Sequence, residues 1–165
     1  MNKSQIKLLK PSGWVMWKTI RLEALKNHPE AFGSSFEEES ERTDADWKNS
    51  LTTADIFGAF NGQNILIGTA GFFRFSQTKQ KHKGVMFGVY VDPDNRKSGV
   101  ADRFISSVIA HAQKIVLQVH CTVVTQNETA LKLYERHGFE PYGLEPRALK
   151  IGEEFMDEIF LLKKF

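Results

Sequence analysis

The stretch from Val85 to Ala101 constrains the fold more than any other part of this chain. Its apolar run, Val85 to Val91, reads as a strand, and Asp102 to Lys114 reads as a helix with Phe104, Ile105, Val108, Ile109 and Ala112 on one face. Between them, after Asp92-Pro93-Asp94-Asn95, lies the short basic turn Arg96-Lys97-Ser98-Gly99-Val100-Ala101. The first N–H groups of a helix have no intrahelical acceptor, and the positive end of its dipole lies at the same place. Gly99 has no side chain to obstruct a close approach, and Ala101 is nearly as small. Such a turn suits a phosphate or pyrophosphate. It is neither a Walker A loop, which needs Gly-Lys-Ser/Thr, nor the three-glycine dinucleotide fingerprint. The same six residues also fit an ordinary strand-to-helix loop carrying two surface cations.

The flanking pattern is a mixture of strands and helices. Ile6 to Leu9 reads as a short strand, and Trp14 to Lys26 as a helix with Trp17, Ile20, Ala24 and Leu25 at core spacing. Ser35 with Glu38, and Thr43 with Asp46, carry helix-start signals. Ile56–Phe60 and Ile65–Phe75 read as a hairpin joined at Asn61-Gly62, a pair that favours positive φ. Val116–Val124 is a β-branched strand, Asn127–His137 a short helix capped by Gly138, and Ala148–Ile151 and Phe155–Leu162 two final strands. No internal repeat or linker divides the 165 residues, so a single domain over 1–165 is expected.

Composition narrows the partners. A net charge of +2 argues against nucleic acid as the main partner, despite Lys79, Lys81, Lys83, Arg96 and Lys97. No run approaches the length of a membrane span and no signal-peptide pattern opens the chain, which predicts a cytoplasmic protein without a membrane partner. Cys121 is the one cysteine, which fits a reducing compartment and a small buried hydrophobe. His111, His120 and Cys121 lack a metal-ligand pattern, so no metal is expected.

Two segments resemble one family. Val91-Asp92-Pro93-Asp94-Asn95-Arg96-Lys97-Ser98-Gly99-Val100-Ala101 is similar to the cofactor motif of the GNAT superfamily, the acetyl-CoA-dependent N-acetyltransferases. That motif runs V-x-P, then R/Q-x-x-G-x-G/A, then an amphipathic helix. Asn127-Glu128-Thr129-Ala130-Leu131-Lys132-Leu133-Tyr134-Glu135-Arg136-His137-Gly138-Phe139 resembles the family's N-x-x-A-x-x-L-Y-x-x-x-G-F, about thirty residues later. The resemblance implies an α/β (α+β) fold: a mixed, mostly antiparallel central sheet flanked by helices, with a splay between strand 85–91 and the strand near 119–124 that holds coenzyme A. The cofactor residues implied are Arg96, Lys97, Ser98, Gly99, Val100 and Ala101 at the pyrophosphate, with the backbone of Val89 and Val91 and the side chain of Asn127 along the pantetheine arm. A backbone N–H of strand 85–91 would meet the acetyl carbonyl, and Tyr134 would protonate the departing thiolate.

The implied activity is transfer of an acetyl group from acetyl-CoA to a primary amine, either a small amine or a protein or peptide amino group. Transfer would be direct, in a ternary complex and without a metal, and a homodimer is the family's suggestion. The alternative is a non-catalytic acyl-CoA-binding or regulatory module on the same fold. Bland roles stand beside the sharp ones: Asn127 as a helix N-cap and Tyr134 as core packing. Strand 85–91 departs from the family by offering no carboxylate as base. Glu38, His120 and His82 are the other candidates, and deprotonation through water is the default. The acidic run Glu37-Glu38-Glu39 reads as a solvated first helical turn or as the wall of an entrance that attracts a cationic acceptor.

Overall fold

In the computed structural model, which describes residues 4–165, the chain builds one seven-stranded sheet in the order β1-β2-β3-β4-β5-β7-β6. The strands are β1 (Gln5–Leu8), β2 (Asp55–Phe60), β3 (Leu66–Arg74), β4 (Lys83–Val91), β5 (Gln118–Val124), β6 (Glu140–Ile151) and β7 (Glu154–Lys164). The helices are α1 (Trp14–Asn27), α2 (Phe36–Ser40), α3 (Asp44–Thr53), α4 (Val100–Ala112) and α5 (Glu128–Arg136). Every neighbouring pair of strands is antiparallel except β4 and β5. Among the described residues no helix is long and apolar enough to cross a membrane.

Two apolar clusters hold the layers together, one on each face of the sheet. Trp17, Ile20 and Ala24 of α1 meet Trp47 and Leu51 of α3 and Tyr90 of β4. The four α1 positions with core spacing, including Leu25, are all buried. On the opposite face α4 drives Phe104, Ile105 and Val108 against β3, β4 and β5. Each fully buried side chain of this size contributes roughly 1.5–3 kcal/mol relative to exposure.

In β3, Gly68 and Gly71 stand where a side chain would not fit. A Cβ on Gly68 would sit 2.7 Å from the carbonyl oxygen of Tyr90 and 2.9 Å from the ring of Phe104. Neither can yield cheaply, because one is backbone and the other is wedged in the core. Gly68→Ala is therefore expected to destabilise the protein by about 1–3 kcal/mol and to lower its melting temperature by roughly 2–12 °C. Gly33→Ala, whose Cβ would meet nothing within 4 Å, is the control that should melt like the parent.

Two segments depart from the sequence reading. The β2–β3 connection is not a two-residue Asn-Gly turn. Asn61 Oδ1 accepts from the N–H groups of Gln63 and Ile65, and the left-handed residue is Asn64, at φ 61°. A side-chain cap here outcompetes the tighter turn. β6 also begins at Glu140 rather than Ala148. Pro141, Gly143 and Pro146 make the segment read as loop, but an exposed edge strand tolerates them at bulges. The register shifts between Pro141 and Gly143 and between Glu145 and Leu149, where Arg147 has φ 53°.

Candidate active site

The splay at the centre of the sheet makes the site. β4 and β5 pair only over Lys83–Val85 and Gln118–His120, and beyond that they part. The gap forms a cleft of about 460 Å³. Its walls include Phe87, Gly88 and Val89 of β4, Cys121 to Val124 of β5, and Asn127 and Tyr134 from α5 and the loop before it.

A bulge shapes the β4 wall. Thr69 pairs with Tyr90 but Gly71 pairs with Phe87, so Gly88 and Val89 together oppose Ala70. Gly88 has φ +60°, a conformation natural to glycine at a bulge. The bulge resets strand alternation. Asp92 N–H donates to the Ile67 carbonyl across β3. Counting back, Tyr90 also faces β3, and the main-chain groups of Val89 and Val91 face the splay. The carbonyl of Val91 already accepts from Arg96 Nε at 2.9 Å, which leaves its N–H. Gly88 escaped the sequence reading as a site residue. An isolated glycine inside a strand pattern was the available signal.

Arg21 closes the bulge from the α1 side. It donates to Glu39 through Nε at 3.2 Å and Nη2 at 2.9 Å, and both side chains are nearly buried. Its guanidinium stacks over Phe32, and Nη1 lies 3.3 Å from where a Cβ on Gly88 would stand. Glu39 also pairs with Arg42. The run Glu37–Glu39 thus does not present a uniform acidic wall: Glu39 turns inward to two arginines, while Glu37 and Glu38 stay exposed on the first turn of α2. Ser35 caps that turn by accepting from Glu38 N–H. Glu38 and His82 lie outside the cleft lining.

The basic turn follows the C-terminal end of β4. Lys97 has φ 58° and Gly99 φ 76°, and two left-handed residues so close bend the chain into a concave loop. The first helical bond of α4 runs from Arg103 N–H to Gly99 O at 3.2 Å. Among the described residues, no main-chain N–H from Lys97 through Asp102 donates a hydrogen bond to protein. A Cβ on Gly99 would meet nothing within 4 Å. The turn therefore offers a row of open donors at a helix N-terminus, with the cation of Lys97 exposed beside it. Arg96 instead folds back, with Nη2 2.9 Å from His28 Nε2 and its guanidinium over the ring of Tyr90. Ser98 Oγ donates to the Asn95 carbonyl and braces the loop.

Asp102 ties this turn to α5. It accepts from Arg136 Nη2 at 3.0 Å and pairs with His137 Nε2 at 3.1 Å. Burial opposes its charge, but these two partners outweigh burial and hold its carboxyl below the usual range. Asn127 Oδ1 accepts from Ala130 N–H, so it does cap α5, and it lines the cleft at the same time. Tyr134 is buried, packs edge-on against Phe139 at 5.8 Å, and also borders the cleft. Its hydroxyl makes no hydrogen bond to any described group, and burial pushes the phenol far above its ordinary pKa, with Cys121 beside it adding to the effect. The Cys121 thiol is itself pushed up to about 12 by burial, which keeps it protonated and non-nucleophilic.

On the β5–β7 wall, His120 sits between Gln118 Nε2 at 2.9 Å and the Tyr142 hydroxyl at 3.1 Å. Burial and the nearby Lys83 and His82 lower its pKa and keep the ring neutral. Glu158 lines the same wall and was not foreseen from sequence, since its run Phe155–Leu162 reads simply as a strand.

The GNAT acetyltransferase family model matches residues 17–139, which spans the helical layer, the bulged strand, the turn and α5. The chain belongs to the GNAT acetyltransferase family. The GNAT fold recurs in solved structures. An acetyltransferase of the family from Streptococcus pneumoniae superposes with a TM-score of 0.86 at 20% identity, covering 99% of this chain and 100% of that one. The protein yncA from Salmonella typhimurium, solved with its cofactor acetyl-CoA, superposes at 0.80 with 16% identity, covering 98% of this chain and 93% of that one. A curated but uncharacterized protein of Mycobacterium leprae is 36% identical over 84 residues, which is 51% of this GNAT chain and 23% of that protein. The chain thus spans about a quarter of the length of that curated relative.

Proposed function

We propose that this protein moves an acetyl group from acetyl-CoA to a primary amine. One juxtaposition carries the reading: a row of open main-chain donors at the N-terminus of α4 lies at the end of the same strand whose bulged edge lines the cleft beside Tyr134. The donor set suits a diphosphate, because it supplies many N–H groups, a helix dipole and the exposed Lys97 without a competing internal acceptor. The acetyl-CoA found with yncA supports that choice of ligand.

Lys97, Ser98, Gly99, Val100 and Ala101 would hold the diphosphate. Val89, Val91 and Asn127 would hold the arm that reaches into the splay. Arg96 positions the turn by bonding the Val91 carbonyl. When bound, acetyl-CoA supplies an activated acetyl thioester. The chain itself contributes orientation, exclusion of water by the aromatic lining, and a main-chain N–H near the Gly88 bulge that would meet the acetyl oxygen. Tyr134 contributes a hydroxyl that stays protonated throughout the physiological range, and so acts as a donor toward the departing sulfur. Having given that proton to the thiolate, the phenol would recover one through water, which its raised pKa favours.

The test is a panel of amines (amino acids, polyamines, aminoglycosides and peptides) incubated with acetyl-CoA and protein. Thiol release and acetylated product are read by absorbance and mass spectrometry. The expected result is one amine class acetylated with an equal yield of free thiol. Tight coenzyme A binding by calorimetry with no amine ever acetylated would replace this reading with a non-catalytic binding module.

A further inference from the structure

We propose that Glu158 receives the ammonium group of the acceptor, and that the acceptor is a cationic primary amine carried on an apolar or aromatic body. The inference rests on the amine-acetylating reading above and names the substrate class of that same cleft. Glu158 lies on β7, opposite Val124 of β5 and Glu145 of β6, and its side chain borders the cleft that also holds Tyr134 and Asn127. Two positions along the strand, on the same face, Phe160 borders the cleft as well, and Phe32 and Tyr142 add aromatic surface.

Glu158 has no cationic partner among the described residues. Its one side-chain hydrogen bond among the described residues is accepted from the Thr122 hydroxyl at 3.4 Å, a long one. The other charges near the cleft are already committed. Arg21 is held bidentate by Glu39, Lys83 sits over the ring of Phe75, and His120 is neutral and bonded to Gln118 and Tyr142. Burial, with Glu145 adding to it, raises the Glu158 carboxyl above the usual range. A half-buried carboxylate beside a second one and without a cation is poorly compensated by its own protein. A ligand ammonium supplies the missing charge, and aromatic faces around it favour a cation over a neutral group. Raised basicity also readies this carboxylate to take a proton from the ammonium, which must lose one before its nitrogen can attack.

The probe is 2-phenylethylamine, a cation at neutral pH, compared with its neutral counterpart 2-phenylethanol. Each is titrated by calorimetry into wild type, Glu158→Gln and Glu158→Asp without acetyl-CoA. The amine should bind wild type at least about tenfold more tightly than the alcohol does, E158Q should lose that preference, and E158D should keep part of it. Thermal melting guards against misfolding. Because the charge on Glu158 is disfavoured by the fold, E158Q should melt at or above the wild-type temperature. Equal amine binding by wild type and E158Q overturns the proposal, as does a wild type that binds amine and alcohol alike. Adding acetyl-CoA separates the two readings. An amine that binds through Glu158 and is never acetylated defeats the transfer reading alone, whereas acetylation with an unchanged KM in E158Q defeats the Glu158 assignment alone.

Discussion

Gly99→Glu should abolish coenzyme A binding while leaving the protein folded. The loss expected in Kd is roughly a hundredfold or more. Two lost hydrogen bonds to a charged phosphate, at about 1.5–3 kcal/mol each, suffice for that factor. A Cβ on Gly99 would meet nothing within 4 Å, so the new side chain leaves the main chain into open space. Its carboxylate would compete with a phosphate for the open N–H groups of Lys97 through Asp102 and repel the anion. Backbone strain accompanies the change, because φ is +76° and a residue with a Cβ loses about 1–2 kcal/mol there. Gly99→Asn separates the two effects, since asparagine tolerates the left-handed region and brings no charge. Calorimetry with coenzyme A should rank wild type above G99N and G99N far above G99E, and inorganic pyrophosphate should compete in the same order. An unchanged affinity in G99E would remove the turn from the binding site.

The turn was legible in sequence because its chemistry is local. A strand, a basic Gly-bearing loop and an amphipathic helix follow one another within about thirty residues, and each is fixed by short-range rules. The same holds for Asn127 and Tyr134, which one helix carries in a single register, and for the buried faces of α1 and α4. What escaped depends on contacts between distant segments. The Arg21–Glu39 clamp joins residues 18 apart on different helices. Glu158 enters the cleft only because β7 inserts between β5 and β6, an order that no local pattern states. The Gly88 bulge lies between these cases: the glycine is visible, but the break in register that gives it meaning is a property of the pairing with β3. The acidic run stayed open between a solvated turn and an entrance wall for a related reason. Three adjacent glutamates look alike in sequence, and only tertiary pairing draws Glu39 away from solvent.

Tyr134→Phe should lower kcat by roughly a hundredfold, the lower end of what a positioned proton donor contributes, and should change the Kd for acetyl-CoA less than twofold. The reasoning starts from what the hydroxyl does not do. It has no hydrogen-bond partner within the protein, so its removal leaves no group unsatisfied and the ring keeps its edge-on packing against Phe139. The variant should therefore fold normally and melt at the wild-type temperature near neutral pH. The alkaline limb gives an independent check with a definite sign. Burial raises the folded-state pKa of this phenol above its unfolded value near 10, so the stability that it contributes is complete below pH 10 and declines as pH rises beyond it. Y134F has no such proton to lose and should resist alkaline unfolding better than wild type, although Tyr90, whose pKa is pushed up to about 12 by burial and its bond to Glu23, still titrates in both. In activity the same shift means that wild-type turnover should not fall through pH 10 on account of Tyr134, because the donor stays protonated. Full activity in Y134F would reduce Tyr134 to packing and leave water as the donor to the departing sulfur. A matching loss of kcat and coenzyme affinity would instead make it a binding residue.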